Sequence, residues 1–214
     1  MRRVWFSVGF IVYLSASLLA GGLIPINAEE EASPLLAQGI TILTNRDYFP
    51  VVHKLFQEAD GSIEVMMFSA RYYTEKPRFA GDIEHEPGTH WSNTNVLLDD
   101  LVEAQERGVD VKMILDSSTW NESNTELNKD FGQLLVEGGV AVYMDDPEVT
   151  THTKLILVDD NLTVVGSTNW SYYALDTNNE TSVLIQSSEI NESYREFFSE
   201  VLANSTLLSV TEEN

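Results

Sequence analysis

The sequence predicts an α/β fold, a mixed and mostly parallel β-sheet flanked by α-helices. Through the first two thirds of the chain, short β-branched apolar runs alternate with segments of helical period. Glycine and asparagine sit where such segments should stop or start. With 214 residues the chain is long enough to bury the core of one ordinary domain.

The first element is a leader. Arg2 and Arg3 precede an apolar run from Val4 to Ile26, and Ala28 precedes Glu29, Glu30 and Glu31. Residues 1–28 are expected to be a signal peptide cut after Ala28, or an N-terminal membrane anchor through residues 4–26. The small residue at the cut and the abrupt acidic start favour cleavage, whereas the length of the run suits an anchor. In either case residues 29–214 form one domain outside the cytoplasm, secreted or tethered.

Residues 39–44 (GITILT) predict a strand. Residues 45–59 carry Phe49, Val52, Leu55 and Phe56 at helical spacing, with Asn45 as cap. Residues 62–70 (SIEVMMFSA) predict a buried strand, and residues 71–92 an aperiodic loop. Residues 93–107 predict an amphipathic helix ended by Gly108, and residues 109–115 a strand closing on Asp116. A turn-rich stretch over 117–124 leads to a helix over 125–137, stopped by Gly138 and Gly139, and then a strand over 140–144.

Residues 152–169 read HTKLILVDDNLTVVGSTN. Two apolar runs flank Asp159, Asp160 and Asn161, which predicts a β-hairpin with a three-residue turn. Facing Val158 with Leu162 places Lys154 opposite Gly166 and His152 opposite Thr168, so the lysine has no side chain beside it. His152 and Lys154 lie two apart and project from one face at one edge. Ser167 and Asn169 return to the same edge. An imidazole, a fixed cation, a hydroxyl and a carboxamide then converge where a phosphate fits: the imidazole attacks phosphorus and the others hold the non-bridging oxygens. This chemistry needs neither a metal nor a cofactor.

The spacing His152-x-Lys154, Asp159, Gly166-Ser167-x-Asn169 resembles the HxKxxxxDxxxxxxGSxN motif of the phospholipase D superfamily. A chance match is on the order of a few in a million, so the motif outweighs the ordinary reading of His152 as a polar strand end. The order of segments over residues 39–198 is similar to that of the small, exported, single-motif endonucleases of that superfamily. The resemblance implies a phospholipase D-like layered fold, a phosphohistidine on His152, and phosphate held by Lys154, Ser167 and Asn169. It also implies that Glu180 hydrogen-bonds the histidine. Asp159 sits seven residues from His152, roughly 20 Å along a strand, and is read as supporting the turn.

The motif occurs once. The two-step reaction needs a second histidine to protonate the leaving oxygen, and His53, His85 and His90 fit no second motif. A homodimer pairing two copies of His152 in one shared site is therefore expected. The first expectation for the substrate is a nucleic acid, making the chain a metal-independent endonuclease; the alternative is a phospholipase D acting on phosphatidyl lipids, and an inactive binding module ranks third.

Other features carry less. Formal charge is −22, and because residues 1–28 hold two arginines and no acid, the remainder is −24. Such a field repels polyanions and favours solubility. Cysteine is absent, which removes disulfides, thiolate metal sites and cysteine nucleophiles. Asn-x-Ser/Thr triplets begin at Asn121, Asn161, Asn169, Asn179, Asn191 and Asn204. Asp82, Glu84, His85, Glu86 and His90 lack a spacing that fixes metal geometry, so a solvated loop is expected there. Arg71, Tyr72, Arg78 and Trp91 could overhang the pocket, and Trp170, Tyr172 and Tyr173 are expected chiefly to pack.

Overall fold

The computed structural model describes residues 38–75 and 92–209. The leader, the acidic and histidine cluster of residues 82–90, Arg78 and Trp91 lie outside the described residues. Among those described, no helix is long and apolar enough to cross a membrane.

In chain order the elements are β1 (Gly39–Thr44), a 3-10 turn (Asn45–Asp47), α1 (Tyr48–Glu58), β2 (Ser62–Met67), α2 (Asn93–Glu106), β3 (Asp110–Leu115), α3 (Glu122–Glu137) and β4 (Ala141–Met144). Then follow β5 (Lys154–Val158), β6 (Leu162–Gly166), a π-helical turn (Tyr173–Thr177), β7 (Thr181–Gln186), α4 (Ser188–Leu202) and β8 (Thr206–Leu207). The strands form one sheet in the order β1-β7-β6-β5-β2-β3-β4-β8.

The layered α/β architecture is as expected, but the sheet is mostly antiparallel rather than mostly parallel. Only β2–β3 and β3–β4 are parallel; β1–β7, β7–β6, β6–β5, β5–β2 and β4–β8 are antiparallel. The reason lies in the connections. Helices α2 and α3 each carry the chain back for a parallel neighbour, whereas β5 and β6 are joined by a three-residue turn that can only make an antiparallel pair. β1 is separated from β2 by three strands although only α1 lies between them in sequence.

The hairpin register is the expected one: Leu155 faces Val165, Ile156 faces Val164 and Val158 faces Leu162. β5 lies inside the sheet and all five of its residues are buried, which explains the unbroken apolar run rather than an alternating one. One sheet face packs under α1, α2 and α3 through Val52, Phe56, Leu97, Leu101, Phe131 and Leu135. The other holds Met66, Ile114, Leu155 and Leu157 against Phe198 of α4.

Three local boundaries differ from expectation. Asn45 does not cap α1; it sits at φ 50 and its Oδ1 accepts the N–H of Glu180 at 2.8 Å. Asparagine tolerates this left-handed conformation, and the cross-chain bond satisfies its side chain. β2 ends at Met67 because Ala70 instead bridges Trp170. α3 starts three residues before the expected 125, since the side chain of Asn121 accepts from the N–H of Asn124.

Candidate active site

His152 lies two residues before Lys154, the first residue of β5, and Lys154 faces Met67 of β2. Lys154 is buried at 7% exposure while His152 is exposed. Lys154 Nζ lies 3.3 Å from both imidazole nitrogens and donates to the His152 carbonyl oxygen at 2.9 Å. Phe68, one residue past β2, braces both: its ring centroid is 4.5 Å from that of His152 and 4.9 Å from Lys154 Nζ. Burial lowers the proton affinity of Lys154, and the negative charges of Glu180 and Asp116 push it back up.

The return strand brings the remaining motif residues to this edge. Ser167 Oγ donates to Glu180 Oε2 at 2.5 Å and accepts the N–H of Thr181 at 3.1 Å. Asn178 Nδ2 donates to the other carboxylate oxygen at 3.0 Å. The implied hydrogen bond between Glu180 and His152 is therefore replaced, among the described residues, by bonds to Ser167 and Asn178. Glu180 acts on the site through Ser167 and through its charge on Lys154. Asn169 Oδ1 is buried without a hydrogen-bond partner among the described residues.

Gly166 is required for a reason other than space beside the lysine. A Cβ there would stand 2.2 Å from Ser182 Oγ and 2.4 Å from the Thr181 carbonyl oxygen. The missing side chain lets β7 approach, and β7 carries Glu180 at its entrance.

Asp159 sits at the far end of the hairpin, as expected, at φ 48. It does more than shape the turn. Its Oδ1 accepts from Gly61 N at 2.7 Å and Ser62 N at 3.1 Å, tying the hairpin to the start of β2. His53 is paired with Asp100 at 2.7 Å and stacked on Phe49, a link between α1 and α2 remote from the motif. Trp170 is fully buried between Phe56 and Phe131 and donates to Tyr48 at 3.2 Å, so it packs rather than forming a rim. Tyr172 is buried and Tyr173 is 39% exposed. Arg71 is fixed beside this turn by its N–H to the Trp170 carbonyl at 2.9 Å, while Tyr72 lines a surface cavity together with Leu98 and Val102 of α2. No group of three or more His, Cys, Asp or Glu residues among the described residues could hold a metal ion.

The sequence reading missed Asp116. Its carboxylate, fully buried at the end of β3, accepts the Thr151 N–H at 2.9 Å and the Ser118 hydroxyl at 2.8 Å. It thereby fixes the residue before His152 and adds charge facing Lys154. The signal was a lone acid closing an apolar strand. Trp120 was missed too: it is 65% exposed, and its Nε1 donates to Thr150 Oγ1 at 2.8 Å, two residues before His152.

The sequence profile of the family described as cardiolipin synthase, PLD-like domain, matches residues 88–202. A phospholipase D of Rickettsia typhi is 32% identical over 106 residues, covering 49% of this chain and 50% of the relative. A mitochondrial cardiolipin hydrolase of Chlamydomonas reinhardtii is 27% identical over 106 residues, with 49% and 45% covered. The chain thus spans about half the length of the curated relatives it matches. Among solved structures, Nuc of Salmonella typhimurium, a phospholipase D family member, superposes with a TM-score of 0.61 at 21% identity, covering 79% of this chain and 98% of that one. NucT of Helicobacter pylori gives 0.59 at 15% identity with the same coverage. At such identities these two likenesses speak for the fold.

Proposed function

Because the chain belongs to the phospholipase D-like family, we propose that it hydrolyses phosphodiesters through a covalent phosphohistidine on His152. The observation that carries this reading is the pairing of an exposed imidazole with a buried lysine 3.3 Å away. The cation stands beside the position that a non-bridging phosphate oxygen would take.

One imidazole nitrogen attacks phosphorus, a P–N bond forms, and the bond to the leaving oxygen breaks. That oxygen takes a proton from a second imidazole. Water then attacks phosphorus, the P–N bond breaks, and the proton of the water passes to the second imidazole, restoring both rings. With one motif per chain, the partner subunit's His152 supplies the second ring, so the active form is a homodimer. Export by the leader, or tethering through residues 4–26, places this activity outside the cytoplasm.

A nucleic-acid strand is the leading substrate. His152, Gly166 and Ser167 are all exposed, and such an open edge admits a phosphodiester in the middle of a chain. Phospholipid is the second reading, favoured by the exposed Trp120 and Val149 near the nucleophile and by the net charge of −22. Protein lacking residues 1–28, in excess EDTA, is offered plasmid and, separately, phosphatidylcholine vesicles. Nicking without lipid turnover supports the endonuclease; lipid turnover alone replaces it with the phospholipase. Failure of both overturns the phosphodiesterase reading.

A further inference from the structure

Asp116 binds the two chain segments that set the imidazole–lysine pair in place. It follows β3 directly, and its backbone N–H donates to the Met67 carbonyl oxygen at 3.2 Å. Met67 is the β2 residue that faces Lys154, so Asp116 lies two strand spacings from the lysine, roughly 10 Å. One carboxylate oxygen accepts the Thr151 N–H at 2.9 Å, in the loop that leads to His152, and the other accepts the Ser118 hydroxyl. Its carbonyl oxygen accepts Asn128 Nδ2 at 2.8 Å; the same nitrogen donates to the carbonyl oxygen of Phe68, whose ring packs on both His152 and Lys154.

A fully buried carboxylate is ordinarily matched by a cation at contact distance. Asp116 is fully buried, and among the described residues it makes no such ion pair. The acid nearest to it, Asp145, repels it. An asparagine would make both side-chain hydrogen bonds without the cost of burying a charge. The ionised group therefore has a use beyond those two bonds.

Lys154 supplies that use. Burial works against its ammonium form, and the charges of Glu180 and Asp116 act in the opposite sense. The two acids stand on different sides of it, Glu180 at the entrance to β7 and Asp116 at the exit of β3. The chain just past β2, between them, offers the ring of Phe68 and no charge, and the imidazole of His152 completes the titratable surroundings among the described residues.

We propose that Asp116 is a positioning residue of the active edge, with two roles in one carboxylate. Its hydrogen bond to Thr151 fixes the loop that presents His152, and its charge keeps Lys154 an ammonium ion able to hold a phosphate oxygen. The effect on turnover rests on the phosphohistidine reading. The effect on Lys154 and on the loop exists without substrate.

Asp116→Asn separates the roles, because the amide keeps an acceptor for Thr151 and a donor for the Ser118 oxygen while removing the charge. The test follows the Lys154 side chain by NMR across pH in protein carrying isotope-labelled lysine, with Lys154→Met assigning the resonance. In Asp116→Asn, Lys154 should titrate at lower pH than in wild type, and the alkaline limb of kcat/KM on a chromogenic phosphodiester should move down with it. The Thr151 amide, outside any strand, should resist hydrogen exchange in wild type and in Asp116→Asn, and lose that protection in Asp116→Ala, where kcat/KM should fall roughly tenfold further. A Lys154 titration unchanged by Asp116→Asn overturns the inference whatever the activity. Rapid exchange of Thr151 in folded wild type overturns it too, and needs no variant to fold. Absence of turnover by wild type defeats the phosphohistidine reading instead, and the lysine titration and Thr151 exchange then decide this inference by themselves.

Discussion

Lys154 and His152 form one unit: Nζ reaches both ring nitrogens at 3.3 Å and the carbonyl oxygen of the same histidine at 2.9 Å. A lysine that anchors the backbone of its neighbour while facing its ring fixes the position of the proposed nucleophile. His152→Ala should therefore abolish turnover, by on the order of 10⁴-fold or more. Lys154→Met should cost about 10²–10³-fold, chiefly in kcat. Steady-state kinetics on a chromogenic phosphodiester measure both, and appreciable activity in His152→Ala refutes a histidine nucleophile.

The shared site makes a quantitative prediction. If each reaction needs two intact imidazoles, heterodimers of wild type and His152→Asn are inactive. After equal mixing under exchange conditions, activity should fall to about a quarter of the wild-type value, the fraction of wild-type homodimers. Activity proportional to the wild-type subunit fraction, or a monomer in sedimentation that retains full activity, excludes the shared site.

The motif was legible because it is local: six positions within 18 residues, on a hairpin whose register follows from where its apolar runs end. Strand and helix positions from β1 through β6 were legible for the same reason, whereas α4 and β8 were not assigned from the sequence. What could not be read was the order of strands, since nothing local to β1 states that it will pair with β7 at the far edge. The parallel expectation failed there. Asp116 escaped because its role depends on Thr151, 35 residues away, and the contacts of Glu180 with Ser167 and Asn178 escaped because they meet only after β6 and β7 pair.

Gly166 tests the packing that brings Glu180 in. In Gly166→Ala the new Cβ would overlap backbone of β7, at 2.4 Å from the Thr181 oxygen. Because backbone cannot rotate away, the variant should lose about 1–3 kcal/mol or more. Activity should drop further than stability explains, as β7 withdraws Glu180 from Ser167. Urea denaturation together with kinetics at a folded temperature separates the two effects.

Asp159 tests the opposite end of the hairpin. Removing its carboxylate in Asp159→Ala leaves the N–H groups of Gly61 and Ser62 without their acceptor. The expected loss is about 1–3 kcal/mol, with kcat unchanged because the turn is remote from the imidazole. Asp159→Asn retains one acceptor oxygen and should lose less. A kcat defect in a folded Asp159→Ala protein would place the residue in the chemistry instead.

Stability should also rise in mild acid. Asp145 holds its proton up to about 6 in the fold, against its ordinary value of 3.8. Burial raises Glu64, Asp100 and Asp176 in the same direction. A carboxyl group with a raised folded pKa binds more protons in the native state than in the unfolded chain. Its favourable contribution is complete below about 4 and is lost as pH climbs through about 6. For Asp145 alone this amounts to about 1–3 kcal/mol, so the melting temperature should increase as pH falls from 7.5 to 5. Asn cannot ionise, so Asp145→Asn should be more stable than wild type at pH 7.5, with the two converging near pH 4.5. Thermal melts across that range check the sign; a wild type that loses stability steadily from pH 7.5 to 5, with Asp145→Asn parallel to it, contradicts a buried, proton-hungry Asp145.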